Sequence, residues 1–578
     1  MTVETSTLSA DVIVVGSGAA GMYASLEAQR LGADVILIDK SVLGRGGATV
    51  MAQMTVAAAL GHAEPDTPDL HFLDTINGSK GLAGESLVEL LCVDGPRRVL
   101  EARDLGVNWA AEGDRLTQVA APGHSRRRCC YVDVLATGQS VSRALRVEVR
   151  RRSIRVAANV IVTEVLTSAG QVDGVVGLDL SEGVPVVAWA PAVILACGGL
   201  TEMYARNSAS VNMTGDAFGL ALGAGAELID MEMIQFFPIA HLAPRLIGLD
   251  PIMWDPFRYK LGGRLLNGQH EEFIHRYAST ADEGQYRATR DVVSYAILKE
   301  VEAGRGSPAG GAYLDFTGIG DDAIHAAFPP VVDRLVSQGI HLNSQAVEVA
   351  PMAHYTIGGI RVAPDMATSV DGLFAAGEAV GGVHGSNRLS GNAITEAFVF
   401  GAVAGKTAAR YASTAPRAIN SDARRRSATT AEHIASYRGR SDGGMSLPAC
   451  RRRMQEIMWT RVGPFRDAAG LEQARLELKE LAGEVSTSPI GSASRHNLQW
   501  AEALEMELML VTAESLRLAA LAREESRGAH QREDYPTSDE AMASVNGVIT
   551  ARDGALLHRW EPLSGSKSSL ALDKRRRQ

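Results

Sequence analysis

The chain has 578 residues, 46% of them hydrophobic, and a formal net charge of −10 at pH 7. This negative charge argues against general nucleic-acid binding, and no run of about 18 apolar residues is present that would cross a membrane. The five cysteines are scattered and form no CxxC pair, and no charged signal-peptide region precedes the first strand. We therefore expect a cytoplasmic protein without disulfides, a metal site or an iron–sulfur cluster of its own.

The first predicted elements form a strand–helix–strand unit. Residues 12–15 are an apolar strand, residues 16–21 read GSGAAG and match the pattern GxGxxG, and a helical pattern follows. A second strand over 35–38 ends at Asp39. Such glycines let the backbone approach a pyrophosphate at a helix N-terminus, and an acidic residue at this distance accepts hydrogen bonds from a ribose. The unit predicts dinucleotide binding but does not separate NAD from FAD.

Later strings decide between the two cofactors. They are VILACGG at 193–199, TGDAFGLALGAGAELIDMEMIQFFP at 214–238, APMAHYTIGGI at 350–360, GLFAAGEAVGGVHGSNRLSGNAITEAFVFG at 372–401 and REESRGAHQREDYP at 523–536. In this order they resemble the flavoprotein subunits of succinate dehydrogenase and fumarate reductase, a family that includes L-aspartate oxidase. The resemblance covers nearly the whole chain, and its His-Gly-x-Asn-Arg-Leu and Glu-Ser-Arg-Gly-Ala-His strings are specific.

The resemblance implies an α/β fold in three parts. These are a Rossmann-like FAD-binding domain assembled from 1–240 and 350–415, an inserted α+β capping domain at 241–349, and a C-terminal helical domain with its tail at 435–578. The residues support the last division independently, because 413–430 is polar and typical of a linker. The segments 471–485 and 497–526 carry helical periodicity.

The resemblance also implies an extended FAD site. By position it is lined by Gly16, Ser17, Gly18, Ala19, Ala20, Gly21, Asp39, Lys40, Gly47, Ala48, Thr49, Asp216, Glu378, Ala393 and Ile394. A helix predicted to begin near Asn392 would point its exposed N–H groups at the flavin. That arrangement favours negative charge on the reduced ring.

One departure from the family concerns how the flavin is attached. Dehydrogenase members tether FAD through a histidine in a run like Ser-His-Thr before Ala-Gln-Gly-Gly. The matching run here is GGATVMAQMTVAAAL at 46–60, with Ala48 at the histidine position. We therefore predict non-covalent FAD. Met54 and Thr55 replace the two glycines, and Met54 either reshapes the site or simply packs there.

The family reaction moves a hydride between flavin N5 and a carbon beside a carboxylate, and a proton at the adjacent carbon. The family's proton-transfer arginine lies in a GRDVV-like string, and ATRDVVSYAIL here places Arg290 in that role. Arginine has a solution pKa above about 12, so it suits a very weakly acidic C–H proton in a dry site. One substrate carboxylate is clamped in the family by a histidine and an arginine, which match His354 and Arg388.

The other half of the predicted substrate site is rebuilt. The family holds the second carboxylate with a histidine in QFHPT and a Thr-Glu pair before RGEGG. Here QFFPI places Phe237 and Ile239 at the first string, and Asp255 falls at the threonine of the second pair, where we expect it to contact substrate. An apolar wall of Phe237, Ile239 and Trp254 would leave carboxylate oxygens unpaired, which argues against succinate and fumarate.

Nearby basic residues leave alternatives open. His241, Arg245 and Arg258 could restore polar contacts to a second carboxylate. The cluster Arg126, Arg127 and Arg128 is solvated or ion-paired by default, and the alternative is that it steers an anionic substrate. Near the C-terminus, Arg527, His530 and Arg532 are expected to hold the helical domain against the FAD domain.

Four functions remain open on these residues. The first is a FAD-dependent oxidoreductase that desaturates or reduces a C–C or C–N bond near the carboxylate of a small molecule other than plain succinate or fumarate. The second is the flavoprotein subunit of a fumarate reductase/succinate dehydrogenase-type complex, which passes electrons to an iron–sulfur partner. The third is L-aspartate oxidase. The fourth, a flavin protein without chemistry, conflicts with the joint presence of Arg290, His354 and Arg388.

Overall fold

The computed structural model describes residues 3–133, 135–247, 252–277, 290–415, 419–441 and 443–563, and the side chains of Tyr259, Arg290 and Asp291 lie outside that description. The described helices, in chain order, are α1 (Ala19–Arg30), α2 (Gly47–Met51), α3 (Pro68–Gly78), α4 (Glu85–Asp104), α5 (Thr137–Arg151), α6 (Asp216–Ala224), α7 (Asp255–Leu261), α8 (Arg290–Glu302), α9 (Asp321–Ala327), α10 (Pro329–Val336), α11 (Asn392–Thr414), α12 (Ser421–Ser436), α13 (Leu447–Arg461), α14 (Ala468–Thr487) and α15 (Leu498–Ala522). None of these helices is long and apolar enough to cross a membrane.

The described strands, in chain order, are β1 (Ser6–Ser9), β2 (Val12–Val15), β3 (Val35–Asp39), β4 (Val56–Ala57), β5 (Ala111–Glu112), β6 (Arg115–Leu116), β7 (Gln118–Val119), β8 (Cys129–Cys130), β9 (Arg155–Ala158), β10 (Val160–Ser168), β11 (Gln171–Asp179), β12 (Val184–Trp189), β13 (Ala192–Leu195), β14 (Leu228–Ile229), β15 (Ile234–Ala243), β16 (Arg264–Leu266), β17 (Ala312–Asp315), β18 (Val347–Thr356), β19 (Gly359–Ile360), β20 (Leu373–Ala375), β21 (Val545–Arg552) and β22 (Ala555–Pro562).

A five-stranded parallel sheet in the order β20-β13-β2-β3-β9 positions the site. Its central strand β2 reads VIVV and is buried at every residue, as expected for a parallel strand covered on both faces. The predicted elements β2, α1 and β3 are confirmed, and α11 begins at the predicted Asn392. The carboxyl ends of β2 and β3 therefore open toward the N-terminus of α1, where open α/β sheets bind ligands.

Two apolar cores lie on either side of this sheet edge. The larger core joins the parallel sheet to α11 and to the C-terminal helices α13, α14 and α15. The second core runs from Phe237 to Met352 and packs around the sheet β15-β18-β17-β16. Phe237 and Met352 pair across β15 and β18, so this second core reaches the edge of the site.

The predicted linker at 413–430 is wrong over its second half. There α12 begins at Ser421, with the Asn420 side chain accepting a hydrogen bond from the backbone N–H of Asp422. Its buried face is made of small residues, and three arginines on the helix hide the apolar periodicity. A hairpin of β21 and β22 was also missed. It pairs with β14, so the C-terminal part of the chain adds strands as well as helices.

Candidate active site

One large cleft, of about 1720 Å³ including the space that opens to solvent, lies at the carboxyl ends of β2, β3 and β13. Every predicted cofactor residue except Gly21 lines it. Among the predicted substrate residues, His354, Arg388 and Phe237 line it as well. The fold thus brings together residues that are more than 370 positions apart in the sequence.

The glycine-rich loop forms the floor of the cleft. Gly16 has φ +104°, and a Cβ atom there would lie 2.3 Å from the carbonyl oxygen of Ala196. A Cβ atom on Gly21 would lie 1.8 Å from the carbonyl oxygen of Gly16. Gly21 therefore allows α1 to pack against the loop without lining the cleft, whereas Gly16 allows a close backbone approach there.

Asp39 organises the loop from the end of β3. Its carboxylate accepts hydrogen bonds from the Ser17 N–H at 2.7 Å and from the Ser17 hydroxyl at 2.6 Å. It also accepts from the Ser41 N–H at 2.7 Å. An acceptor at this position, beside backbone that a Cβ would obstruct, fits a ribose next to a pyrophosphate. The residues present therefore fit an extended dinucleotide.

Lys40 connects this wall of the cleft to the C-terminal helices. Its ammonium group lies 2.8 Å from Asp216 and 2.8 Å from Glu505 on α15. Burial alone would lower the pKa of Lys40, but these two carboxylates raise it above its usual range. The sequence does not mark Glu505 as a site residue. The segment around it carries no motif, and its periodicity predicts only a packed helix.

The N-terminus of α11 forms a second wall. Ala393 and Ile394, in its first turn, line the cleft, and the first N–H groups of a helix lack intrahelical partners. Gly391, immediately before the helix, has φ +85°. This end of α11 favours negative charge on a group bound beside it.

His354 and Arg388 occupy one end of the cleft. The Ser208 hydroxyl lies 2.8 Å from His354 Nδ1, so the ring is oriented from behind. Arg388 is only 5% exposed, donates to the Leu389 carbonyl at 3.2 Å, and lies over the ring of Tyr355 at 4.3 Å. Stacking and burial hold the guanidinium in place for a planar anion.

A buried polar chain lies behind Tyr355. The Tyr355 hydroxyl donates to Glu396, and His384 Nε2 lies 2.9 Å from the same carboxylate oxygen. Burial and the charge of Glu396 raise the pKa of Tyr355 well above its usual value. The sequence offered one signal for this hydrogen-bonded group. Glu396 lies four residues after Asn392 on a helix predicted to be buried, and a buried acid needs a partner.

Glu378 lines the cleft beside this chain. Burial raises the pKa of its carboxyl to about 7, although the Thr356 N–H, 3.0 Å away, and the charge of Arg388 lower it. The expectation that it belongs to the cofactor site agrees with this placement. A carboxyl that titrates near neutrality is common where ligands bind.

The part of the cleft around Phe237 is apolar, but its residues differ from the prediction. Phe237 is 3% exposed and contacts His354 edge-on, with ring centroids 5.5 Å apart. Ile239 and Trp254 are buried in the second core and do not line the described cleft. Met253 and Met54 line it instead. Phe237 and Ile239 would share one face of a regular strand, but the register of β15 shifts between Phe237 and Ala240. Met253 lies in an isolated bridge opposite Ala240.

The polar residues predicted near Phe237 do not line the described cleft. Asp255 is buried at the start of α7 and is not among the described residues that line the cleft, so its contact with substrate stays a prediction. His241 accepts from the Trp254 indole N–H at 3.3 Å and bonds to the Pro244 carbonyl. Arg245 and Arg258 likewise do not line the described cleft.

Comparison with known proteins identifies the family. Residues 11–394 match the model of the FAD binding domain, and residues 451–576 match the fumarate reductase flavoprotein C-terminal model. The chain belongs to the fumarate reductase/succinate dehydrogenase flavoprotein family. It is a FAD-dependent oxidoreductase. The predicted family, fold class and cofactor are confirmed.

Individual relatives match this flavoprotein along most of its length. One subunit of the fumarate reductase (CoM/CoB) of Methanothermobacter marburgensis is 35% identical over 536 residues, which is 92% of this chain and 96% of the relative. An L-aspartate oxidase of Streptomyces coelicolor is 33% identical over 563 residues, covering 94% and 91%. The structure of Mycobacterium smegmatis Sdh1 in complex with UQ1 is 31% identical, with a TM-score of 0.87 and 98% of each chain covered.

In this flavoprotein, Ala48 stands at the position where dehydrogenase members of the family carry the tethering histidine. It lies in α2 and lines the cleft. Its methyl side chain has no nucleophilic atom. The neighbouring Thr49 uses its hydroxyl oxygen to accept a hydrogen bond from the Ala19 N–H at 2.9 Å. Non-covalent attachment stays a prediction that this residue supports.

Arg290 is the first residue of α8, and its side chain lies outside the described residues. Its predicted proton-transfer role therefore stays a prediction.

The basic cluster splits into two kinds of residue. Arg128 is fully buried and pairs with Asp66 at 3.0 Å and Asp74 at 2.5 Å. It also donates to His124 Nδ1 at 3.1 Å, so His124 presents its Nε2–H to the Ser390 carbonyl at 2.7 Å. Arg128 thus supports the segment that follows Arg388 and is not a steering charge, whereas Arg126 and Arg127 are exposed.

Proposed function

We propose that this flavoprotein oxidises or reduces the bond next to the carboxylate of an acid whose far end is apolar. The observation that carries the proposal is the position of Phe237, which lines the cleft against His354. In the family pattern, this position carries a histidine that holds the second carboxylate of the substrate. Plain succinate and fumarate are therefore expected to bind poorly.

The carboxylate of the substrate lies between His354 and Arg388 in this proposal. Arg388 offers a planar fork that its stack on Tyr355 keeps in one orientation. His354, oriented by Ser208, adds a donor when it is protonated. When bound, FAD supplies a two-electron hydride donor or acceptor at its N5 atom. The clamp fixes the neighbouring carbon relative to the flavin ring.

The far end of the substrate contacts Phe237, Met253 and Met54. Burying an apolar group there gains about 25 cal/mol for each Å² removed from water. An unpaired carboxylate in the same place would lose its hydration without a partner. Methionine side chains adapt to irregular shapes, which suits a branched or aromatic substituent.

Arg290 remains the residue proposed to move the proton at the adjacent carbon. The support is its place in the ATRDVV string at the start of α8, on a segment that enters the second core beside the cleft. We further propose that FAD is bound without a covalent link, because Ala48 stands at the tether position.

A second candidate is the flavoprotein subunit of a two-component reductase. It is favoured by a relative that is named as one subunit of a fumarate reductase and matches 92% of this chain. Electrons would then pass to or from an iron–sulfur partner. L-aspartate oxidase is a weaker candidate, because an L-aspartate side chain would also place a carboxylate against Phe237.

The test is an anaerobic substrate panel on the FAD-loaded protein. Oxidised enzyme is mixed with succinate, butyrate, 3-phenylpropionate and L-aspartate, and dithionite-reduced enzyme with fumarate, crotonate and cinnamate, while the flavin absorbance is followed. We expect the monocarboxylates to change the flavin redox state faster than the dicarboxylates. Faster reaction with succinate or fumarate than with every monocarboxylate would overturn the proposal. Trichloroacetic acid precipitation should release the flavin into the supernatant.

A further inference from the structure

Four arginines form one charged surface beside the cofactor loop. Arg143, Arg146 and Arg150 lie on the outer face of α5 at helical spacing, and Arg45 lies in the turn before α2. We call these four residues the arginine patch. Partial burial and the charges of Arg45, Arg150 and Arg143 hold the pKa of Arg146 below its usual value, so the other three guanidinium groups lie close enough to act on it.

The part of the chain that the structure describes offers the patch no ionic partner. Among the described residues, no carboxylate lies within ion-pair distance of any of its four guanidinium groups. The same helix shows the contrast, because Arg151 and Arg152 each pair with Glu148 at 2.6 Å. Leaving like charges together costs stability in a protein with a net charge of −10, where acidic side chains are abundant.

Two exposed apolar side chains lie within the patch. Val147, between Arg146 and Arg150 on α5, is 55% exposed, and Val42, in the turn that ends at Arg45, is 50% exposed. A basic rim around small apolar contacts is typical of a transient protein docking surface. An RNA- or DNA-binding surface would instead call for a wider basic field with a positive net charge.

The patch lies on the outside of the cofactor wall. The Ser142 hydroxyl donates to the Gly44 carbonyl at 2.6 Å, and the Gly138 N–H donates to the Ala52 carbonyl at 2.8 Å, so α5 packs directly on the loop that contains α2. Gly46 and Ala48 of this loop line the cleft. A protein bound to the patch would therefore be separated from the cleft by α5 and this loop.

We propose that the arginine patch is the docking surface of a small acidic electron-carrier protein that exchanges electrons with the flavin. The charge complementarity speeds and orients the encounter on the outside of the cofactor wall. A one-electron carrier docks twice for each substrate reduced, which supplies the two electrons that one double bond consumes. The two protons come from the site and from water. The inference rests on the oxidoreductase function but not on the identity of the acid.

The test uses an acidic plant-type [2Fe–2S] ferredoxin as the probe and the FAD-loaded protein. The patch variant combines Arg143→Glu, Arg146→Glu and Arg150→Glu. The control variant carries Arg410→Glu and Arg452→Glu, which change exposed arginines outside the patch. Binding is measured by fluorescence anisotropy at low and high salt, and flavin reduction by reduced ferredoxin is followed in a stopped-flow instrument.

We expect the patch variant to bind ferredoxin at least tenfold more weakly and to lose the salt dependence, while the control variant stays within threefold of the wild type. Flavin reduction by reduced methyl viologen should be the same in all three proteins, which shows that the flavin site is intact. Equal ferredoxin binding by wild type and patch variant would overturn the proposal, as would the absence of salt-dependent binding. Patch-dependent binding to anionic phosphatidylglycerol vesicles without ferredoxin binding would assign the patch to a membrane surface instead.

The same proteins distinguish this proposal from the proposed substrate class. If no apolar acid reacts but ferredoxin still binds through the patch, the substrate proposal fails and the docking proposal stands. If apolar acids react with a dye acceptor but the patch variant binds ferredoxin normally, the reverse holds.

Discussion

At the residue scale, Phe237 and Arg388 make opposite demands on a molecule that lies between them. Arg388 is a buried cation that lines the cleft, and Phe237 is a buried apolar ring beside His354. In the proposed function the pair acts as a filter, because a substrate that satisfies both must be charged at one end only.

Phe237→His tests this filter directly. A histidine at this position would add a donor next to His354, so we expect the KM for fumarate or succinate to fall at least tenfold, with weaker binding of apolar acids. Steady-state kinetics with a dye acceptor measure the ratio of kcat/KM for the two substrate types. Phe237→Leu is the matched control and should leave the preference for apolar acids in place. An unchanged preference in Phe237→His would place the specificity elsewhere.

Tyr355 holds Arg388 through its ring rather than through its hydroxyl. We expect Tyr355→Phe to keep the stack on the Arg388 guanidinium and Tyr355→Leu to lose it. Both variants lack the hydrogen bond from the Tyr355 hydroxyl to Glu396. The difference between the two variants should be about 1–2 kcal/mol in carboxylate binding, or roughly five- to thirtyfold in Kd. Titration of a carboxylate inhibitor against the flavin absorbance measures it. Equal affinities in the two variants would show that the ring does not orient Arg388.

At the scale of elements, the start of α11 is held by the fully buried His71 and the partly buried His124. His71 Nε2 lies 2.9 Å from the Asn392 side-chain oxygen, and His124 bonds to the Ser390 carbonyl. Burial and the neighbouring His124 lower the pKa of His71 to about 3, and burial and the charge of Arg128 lower that of His124 to about 4. Both rings therefore stay neutral while they hold the helix start.

This neutrality makes stability depend on pH. As the pH falls below about 6.5, an unfolded chain protonates these histidines while the folded chain does not, so stability is present above that pH and lost below it. His71→Gln keeps a neutral donor near Asn392, and we expect the wild type to lose about 2 kcal/mol more than the variant between pH 7.5 and pH 5. Guanidinium unfolding at each pH measures this difference. The exposed His341→Gln is the control, and parallel curves for wild type and His71→Gln would contradict the argument.

The elements that could be predicted are those whose function restricts residue type locally. The GxGxxG loop and the HGSNRLSGN string require small residues where backbone and ligand meet, so β2, α1 and the start of α11 were visible in the sequence. Helix α12 was not, because its buried face is Ala423, Ser427, Ala431 and Ile434, which carry little apolar signal. Met253 reaches the cleft from an isolated bridge opposite Ala240, which no local pattern marks.

Partners that meet only through the fold were also beyond prediction. Ser208 and His354 are 146 residues apart, and Lys40 and Glu505 come from opposite ends of the chain. Each residue alone is an ordinary polar side chain, and only the packing of α15 and β18 against the parallel sheet gives it a role.

At the scale of the whole molecule, the C-terminal segment is held to the FAD-binding part by a buried charge network. Arg523, fully buried after α15, lies 3.3 Å from Asp230, 2.5 Å from Glu232 and 3.1 Å from Glu525. Asp230 also accepts from the Gly547 N–H at 2.9 Å and so holds the start of the final hairpin. Three parts of the chain that are distant in sequence therefore share one cation.

Arg523→Met tests how much this buried charge network stabilises the fold. The variant leaves the carboxylates of Asp230 and Glu232 buried without their cation, and we expect a loss of about 3–5 kcal/mol in the free energy of unfolding at pH 8. Burial and the charge of Glu232 already raise the pKa of Asp230 to about 7, and loss of the arginine raises it further. Protonation at pH 5.5 removes the uncompensated charge, so the deficit should shrink there. Guanidinium unfolding at both pH values measures the two losses.

Arg495→Met, which breaks an exposed pair with Glu182, should cost less than about 1 kcal/mol at either pH. A deficit for Arg523→Met as small as this control would mean that apolar packing alone holds the C-terminal segment.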